Sequence, residues 1–404
     1  MQNMSSEWVL ILLSGVIVIS YLFSIISNFI KIPSVLLLLA AGIVLRAVSD
    51  ANNWHIPIPS KAIDFFGVIG TVMIVLEAGL DLKLGRKKIK LISTSFFAAF
   101  FILILSMTAV SAVLYYWLHE PVRNCIVYSI PLSIMSSSIV MPSLHHLSEN
   151  KKEFLVYEAS FSDIMGILLF NYFTASEIVS AHAVSGFFLH IVIAIILSVL
   201  FSVLLFIILT KTKMSIKFFL VFALLIILYE GGKMLDLPSL IIILVFGLLM
   251  NNWHLIKVPK FNALFPEERV NEATHLLHSI TAESSFLIRT FFFLIFGYSI
   301  NLNAIASSNI IAIGSVIVII LLAIRYLYLR FFIKESVYPE VFFIPRGLIT
   351  VMLFYKIPTS YHPEKLQGGI LFFIVIVTGL IMMLGMIFYK KKETEIVEEQ
   401  IMNN

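Results

Sequence analysis

The chain has 404 residues, 60% of them hydrophobic and 13% charged, against roughly 25% charged in a soluble domain. That composition excludes a soluble globular protein and predicts an all-α polytopic membrane protein. The net charge of +4 is small and unevenly spread, which suits orientation in a bilayer and not nucleic-acid binding, and the single Cys125 excludes an intramolecular disulfide or a thiolate metal site.

Crossing roughly 30 Å of hydrocarbon takes about 20 apolar residues. Runs of that kind fall at 8–27, 33–49, 62–80, 89–117, 124–146, 152–176, 183–210, 215–233, 238–252, 284–302, 307–333, 338–356 and 366–389, so we predict about thirteen transmembrane helices. The first run follows acidic Glu7 and precedes no small-residue cleavage site, and reads as a retained helix. An odd count puts the termini on opposite sides. Most Lys and Arg residues fall in odd-numbered loops and after the last run, densest at Lys83, Arg86, Lys87, Lys88 and Lys90 and at Lys390, Lys391 and Lys392. The positive-inside bias then places the N-terminus outside and the C-terminus in the cytoplasm of an inner (plasma) membrane protein.

The chain repeats itself. Ile32-Pro33-Ser34-Val35-Leu36 with Gly42 returns as Leu237-Pro238-Ser239-Leu240-Ile241 with Gly247, and Leu80-Asp81-Leu82 resembles Ile300-Asn301-Leu302. The partner runs are seven apart, so the halves have opposite orientation: two inverted six-helix repeats, about 8–176 and 215–389, joined by a linker helix at 183–210. We expect one transmembrane transporter domain over 1–392 and a short cytoplasmic tail at 393–404. Inverted repeats with discontinuous helices at mid-membrane are an architecture of secondary transporters. The fifth and twelfth runs are equivalent and both are interrupted, one by Ser136-Ser137-Ser138 and Pro142, the other by Pro345-Arg346-Gly347. Serines compete with the helix ladder and proline breaks it, and such breaks are tolerated at membrane depth only where they line a cavity or are buried in protein.

The sixth run carries Glu158-Ala159-Ser160-Phe161-Ser162-Asp163. An ionisable group at that depth costs roughly 2.5–3.5 kcal/mol on insertion scales and is a functional candidate by default. Ser160 with Asp163, and Glu158 with Ser162, each share a helix face. The repeat makes Arg346 the nearest cation for Glu158, a structural ion pair. Asp163 is left without a cation. Desolvation disfavours its charged form, so a proton and a dehydrated metal cation can compete for one carboxylate, as an antiporter requires. The three serines serve either as ligands or as small residues for close packing. Glu77, Glu230, Arg289 and Arg325 read as groups near helix ends or snorkelling to the interface, and His145 and His146 stand at the cytoplasmic end of the fifth run. The chain has no Walker A, G-x-G-x-x-G, H-E-x-x-H or G-x-S-x-G motif, so we expect no enzyme and no cofactor.

These residues resemble the monovalent cation:proton antiporter superfamily over nearly the whole chain. Glu158 through Asp163 is similar to the G-E-S-x-x-N-D motif of its sodium/proton exchanger branch, with the same Glu-to-Asp spacing. Pro345-Arg346-Gly347 resembles the arginine-glycine step of its late broken helix, the stretch from Phe66-Gly67 to Asp81 its third helix, and Phe293 to Leu302 its F-x-F-x-x-x-G segment. The resemblance implies that Asp163 is the cation and proton carboxylate, that Ser162 stands where the family has Asn, that Glu158 pairs with Arg346, and that the protein is a homodimer with helices such as the first and eighth at the interface. Where the exchanger branch has T-D-P this chain has Ser137-Ser138-Ile139, and Met135 to Val140 is similar to the S-S-T-A segment of the potassium-efflux branch. The expected activity is exchange of Na+, or K+ or Li+, for H+, one for one because Ser162 is uncharged. Two other readings stand beside it: a sodium-coupled organic anion symporter on a related fold, and an ion channel or sensor.

Overall fold

Where no water reaches the backbone, each N–H and C=O needs a partner within its own segment, and the long apolar runs of this chain accordingly become helices. A computed structural model gives the fold; it describes residues 6–30, 32–52, 60–85, 88–144, 147–174, 181–211, 218–235, 237, 239–255, 267–300, 307–333, 337–358, 361 and 369–402. The elements are α1 (Ser6–Ile30), α2 (Ser34–Ala51), α3 (Ser60–Asp81), α4 (Ile89–Leu118), α5 (Val122–Ser133), α6 (Ser137–Val140), α7 (Glu149–Thr174), α8 (Ala181–Lys211), α9 (Phe218–Met234), α10 (Ser239–Asn251), α11 (Glu267–Ser299), α12 (Ser308–Tyr328), α13 (Leu348–Tyr355) and α14 (Gly369–Met402). There is no strand among the described residues. Counting α5 and α6 as two parts of one interrupted helix gives thirteen among the described residues, one for each apolar run. Six spans among the described residues are by themselves long and apolar enough to cross a bilayer.

Three boundaries differ from the sequence reading. α11 begins at Glu267, well before residue 284, because its first half is amphipathic: Val270, Leu277 and Thr281 are buried while Glu267, Glu268, Glu272 and His275 are exposed. A count of apolar residues misses such a helix; its periodicity does not. The twelfth run is helical only from Leu348, after a 3-10 turn at Glu340–Phe342 and an irregular stretch at 343–347. α14 continues to Met402, through most of the segment read as a tail. Pro238, Asn301, Leu302, His145 and His146 lie outside the described residues.

The chain forms two compact units, Met1–Gly67 with Thr94–Gly166 and Arg289–Asn404, and Val68–Ser93 with Ile167–Ile288. In the first, α1 packs on α2, α12 on α14 and α13 on α5. Here α2 meets the end of α11 glycine to glycine: a Cβ on Gly42 would lie 2.8 Å from the Tyr298 nitrogen and 2.9 Å from Gly297 Cα, and would strike the Leu294 carbonyl. In the second unit α10 packs on both α8 and α9, and α10 meets α3 in the same manner. A Cβ on Gly79 would lie 2.8 Å from the Leu244 carbonyl oxygen and one on Gly247 2.9 Å from that of Leu76. In both crossings each glycine faces the carbonyl three residues before its partner glycine. Beyond α3, Asn252 fixes the chain by accepting from the Leu84 amide at 2.6 Å and donating to the Leu82 carbonyl at 2.8 Å.

Overpacking a tight contact costs typically about 1–3 kcal/mol. Gly42→Ala should therefore lower the melting temperature of the detergent-solubilised protein, followed by fluorescence-detected size exclusion. Gly15→Ala, at a glycine with no atom within 4 Å of the added Cβ, should leave it unchanged; equal effects would show that the α2–α11 contact is not tight.

Candidate functional site

The break between α5 and α6 begins where Ile134 turns extended, at φ −73° and ψ 128°, and ends at Ser136, at φ −85° and ψ 117°. It frees three successive amides inside the protein. Met135 N donates to Ser162 Oγ at 2.9 Å, Ser136 N to the Pro345 carbonyl at 3.0 Å, and Ser137 N to Asp163 Oδ2 at 3.2 Å. Two of the three acceptors are side chains of α7; the third is backbone of the other break. The two interrupted segments are thus hydrogen-bonded to each other. Their approach is close enough to require Gly347: a Cβ there would lie 2.5 Å from Ser136 Oγ and 3.0 Å from Ile139 Cδ1. Pro345 suits the opposite strand of this crossing because it has no N–H to satisfy and its predecessor avoids the helical region.

Arg346 serves the carbonyls that the break strands at the end of α5. Its Nε donates to Leu132 O at 2.8 Å, Nη2 to Ser133 O at 3.1 Å and Nη1 to Ile344 O at 2.7 Å, while its amide donates to Thr378 Oγ1 at 3.2 Å. A cation beside a helix C-terminus is favoured by the helix dipole. Arg346 is therefore not the partner of Glu158. That partner is Arg325 of α12, in a bidentate pair at 2.6 and 2.9 Å with both side chains 1% exposed. The expected pair joins the wrong arginine because both cations lie in apolar runs, and the repeat selects only one of them. Arg325, read as snorkelling, is instead fully buried, and its Nε donates to the Glu340 carbonyl at 2.7 Å. The Glu340 carboxylate in turn meets Lys151 at 2.9 Å. A lone arginine in the otherwise apolar Ser308–Tyr328 was the available signal, since a buried guanidinium needs a partner.

Asp163 lies at the crossing, 3% exposed. Its Oδ2 accepts from Ser137 Oγ at 2.5 Å as well as from the Ser137 amide. Its Oδ1 is buried and has no hydrogen-bond partner among the described residues. The carboxylate is thus held by one oxygen and open at the other. Ser136 Oγ and Ser138 Oγ bond each other at 2.8 Å. Ser160 donates to the Val156 carbonyl at 2.8 Å, a turn of its own helix, and makes no bond to Asp163. Pro142 sits in the 3-10 turn Met141–Ser143, beyond α6 and away from the extended residues of the break. Glu158, Ser162, Arg325, Arg346, Ser133 and Ser106 border a cavity of about 10 Å³, room for about one water. No cluster of three or more His, Cys, Asp or Glu suited to a resident metal exists among the described residues.

Removing one partner of a buried pair costs about 3–5 kcal/mol, whereas replacing both by apolar groups is often neutral. Arg325→Leu should therefore lose most monodisperse protein on size exclusion, and Glu158→Leu with Arg325→Leu should recover it. A double variant no better than the single one would contradict the pairing.

The profile described as sodium/hydrogen exchanger, transmembrane, matches residues 15–389. Among solved structures, the sodium proton antiporter MjNhaP1 from Methanocaldococcus jannaschii at pH 8 superposes with a TM-score of 0.70 at 18% identity, over 95% of this chain and 99% of that one. An electron-microscopy structure of the same antiporter gives 0.68 at 16% identity, over 95% and 96%. No curated protein sequence matches significantly. These structures share the fold; the profile, spanning far more than half the chain and both helix breaks, establishes the lineage. The chain belongs to the transmembrane sodium/hydrogen exchanger family.

Proposed function

We propose that the protein is a secondary active antiporter that exchanges a monovalent cation, Na+ first, for H+, one for one, with Asp163 holding either ion in turn. The observation that carries this reading is the half-held carboxylate: Oδ2 fixed by Ser137, Oδ1 buried and unpartnered. A bare carboxylate in a buried site costs several kcal/mol. Either a proton or a dehydrated cation on Oδ1 removes that cost. The loaded site can then be carried through the occluded state and the empty one cannot, which couples the two flows. Ser162 adds no charge and gives its oxygen to the Met135 amide, consistent with a single titrating carboxylate and one-for-one exchange.

The alternating-access part of the proposal rests on the inverted repeat. Its support is the likeness of the two glycine crossings, Gly42 with Gly297 and Gly79 with Gly247, since a repeat that relates Gly42 to Gly247 also relates Gly297 to Gly79. That register differs by two residues from the Leu80–Ile300 match. We place the protein in the plasma membrane with its C-terminus in the cytoplasm on the distribution of Lys and Arg. A homodimer through the first and eighth runs, α1 and α9, is supported by their exposed apolar residues, among them Val18, Leu22 and Phe29 on α1 and Phe219, Leu220 and Ile227 on α9.

In everted vesicles with a pH-sensitive dye, Asp163→Asn should abolish Na+-dependent proton movement; retained exchange would refute the assignment. Ser137→Ala removes one donor to the ionised carboxylate, worth about 1.5–3 kcal/mol, so the Na+ concentration for half-maximal rate should rise about tenfold or more. Ser160→Ala should leave it unchanged, because that hydroxyl is bonded to Val156. An imposed membrane potential should not drive exchange at balanced ion gradients, and a clear response would mean that the ratio is not one to one.

A further inference from the structure

Ser106 of α4 is 1% exposed, and its Oγ has no hydrogen-bond partner among the described residues. A hydroxyl in a helix ordinarily bonds the carbonyl three or four residues back, as Thr108 of the same helix does with Ile104 at 2.8 Å. Ser162 of α7, 3% exposed, is a second exception. Its Oγ accepts from the Met135 amide at 2.9 Å and donates to no group among the described residues, whereas Ser160 donates to Val156. Two buried hydroxyl hydrogens thus have no acceptor there, and leaving them so is unfavourable.

Both serines border the same cavity of about 10 Å³, together with Glu158, Arg325, Arg346 and Phe343. All of these residues belong to the first compact unit. Within it α4 lies against both helices of the ion pair: Phe96 meets Phe161 of α7 edge to face with ring centroids 5.4 Å apart, and Phe101 stacks on Tyr328 of α12 at 6.2 Å. A space of that volume admits about one water, and a buried water makes about three hydrogen bonds to polar groups that otherwise lack partners. Ser106 and Ser162 offer two donors. Glu158 offers the acceptor, because each of its oxygens takes one bond from Arg325 and an ionised carboxylate has about four lone-pair sites. A metal cation is disfavoured in the same space, since two guanidinium groups border it against one carboxylate.

We propose that this cavity binds one structural water, which accepts from Ser106 and Ser162 and donates to Glu158. Ser106 is then a positioning residue for the ion site. By taking the Ser162 hydrogen, the water leaves that oxygen's lone pair turned to the Met135 amide, and Ser162 directly precedes Asp163. The water site stands without the antiport reading; its effect on ion affinity rests on that reading.

X-ray radiolysis converts bound water to hydroxyl radicals, which oxidise the side chains beside it and are read out by mass spectrometry. In the purified protein Phe343, which borders the cavity, should be oxidised faster than Phe293, which does not, although both are 0% exposed. Ser106→Val puts methyl groups in place of the hydroxyl and should bring the Phe343 rate down to that of Phe293. Equal rates in the unaltered protein, or a Phe343 rate unmoved by the substitution, overturn the water site. Should Ser106→Val not stay monodisperse, Ser106→Asn serves instead, because its amide carries both a donor and an acceptor to the water's position; fast Phe343 oxidation persisting there overturns the site equally. In vesicles, Ser106→Val should raise the half-saturating Na+ concentration about fivefold, as one lost neutral hydrogen bond implies, at unchanged maximal rate, and Ser106→Asn should restore it. An affinity indifferent to Ser106→Val, or not restored by Ser106→Asn, overturns the positioning role. Exchange that persists in Asp163→Asn vesicles would instead defeat the antiport reading, and the oxidation result stands or falls separately.

Discussion

Interrupting a helix inside a membrane strands backbone groups that water cannot reach, and the site of this protein is the solution to that problem. The break at Ile134–Ser136 frees the amides of Met135, Ser136 and Ser137, and these are taken by Ser162, the Pro345 carbonyl and Asp163. It also strands the carbonyls of Leu132 and Ser133, which Arg346 takes. Leaving any of these groups unsatisfied would cost on the order of a few kcal/mol. The same bonds that make the break tolerable bring a carboxylate to it. The break and the carboxylate are therefore not separable here: Asp163 accepts from the broken backbone through Oδ2, while its Oδ1 is buried without a hydrogen-bond partner among the described residues.

The rest of the first unit stabilises that crossing. Glu158 stands five residues before Asp163 on α7 and is clamped by Arg325, which is tied to the Glu340 carbonyl, while Lys151 at the start of the same helix holds the Glu340 carboxylate. Three points of α7 are thus anchored along its length: Lys151, Glu158, and Ser162 with Asp163. Thr378 of α14 fixes the Arg346 amide from another side. An ion pair buried this deeply contributes little net stability over an apolar replacement. Its effect is positional, since it sets the rotation of α7 that turns Asp163 toward Ser137.

Much of this is legible in the sequence. Hydropathy gives one apolar run for each of the thirteen helices among the described residues, though not their bounds, because length and apolarity are what a bilayer demands, and the Glu158–Asp163 segment is conspicuous because charges are rare there. Pro345, Gly347 and the serines marked the breaks, since each weakens a helix for a local reason. Partnerships between distant residues were not legible. Arg325 and Arg346 are chemically identical and each lies in an apolar run, so only packing decides that one meets Glu158 and the other the carbonyls of α5. Nor could spacing tell that Ser160 turns to Val156 while Ser137, on another element, reaches Asp163. The first half of α11 was hidden because its buried stripe is narrow and its exposed face polar.

The central claim is that one carboxylate oxygen serves a proton and a metal cation alternately. Titrating Na+ into the purified protein by calorimetry, in buffers of differing ionisation enthalpy, gives the number of protons released for each ion bound. The account predicts that release approaches about one as the pH is lowered, as expected when a metal displaces a proton from its ligand. Saturable Na+ binding at low pH with no release of protons would show that the two ions do not share the site.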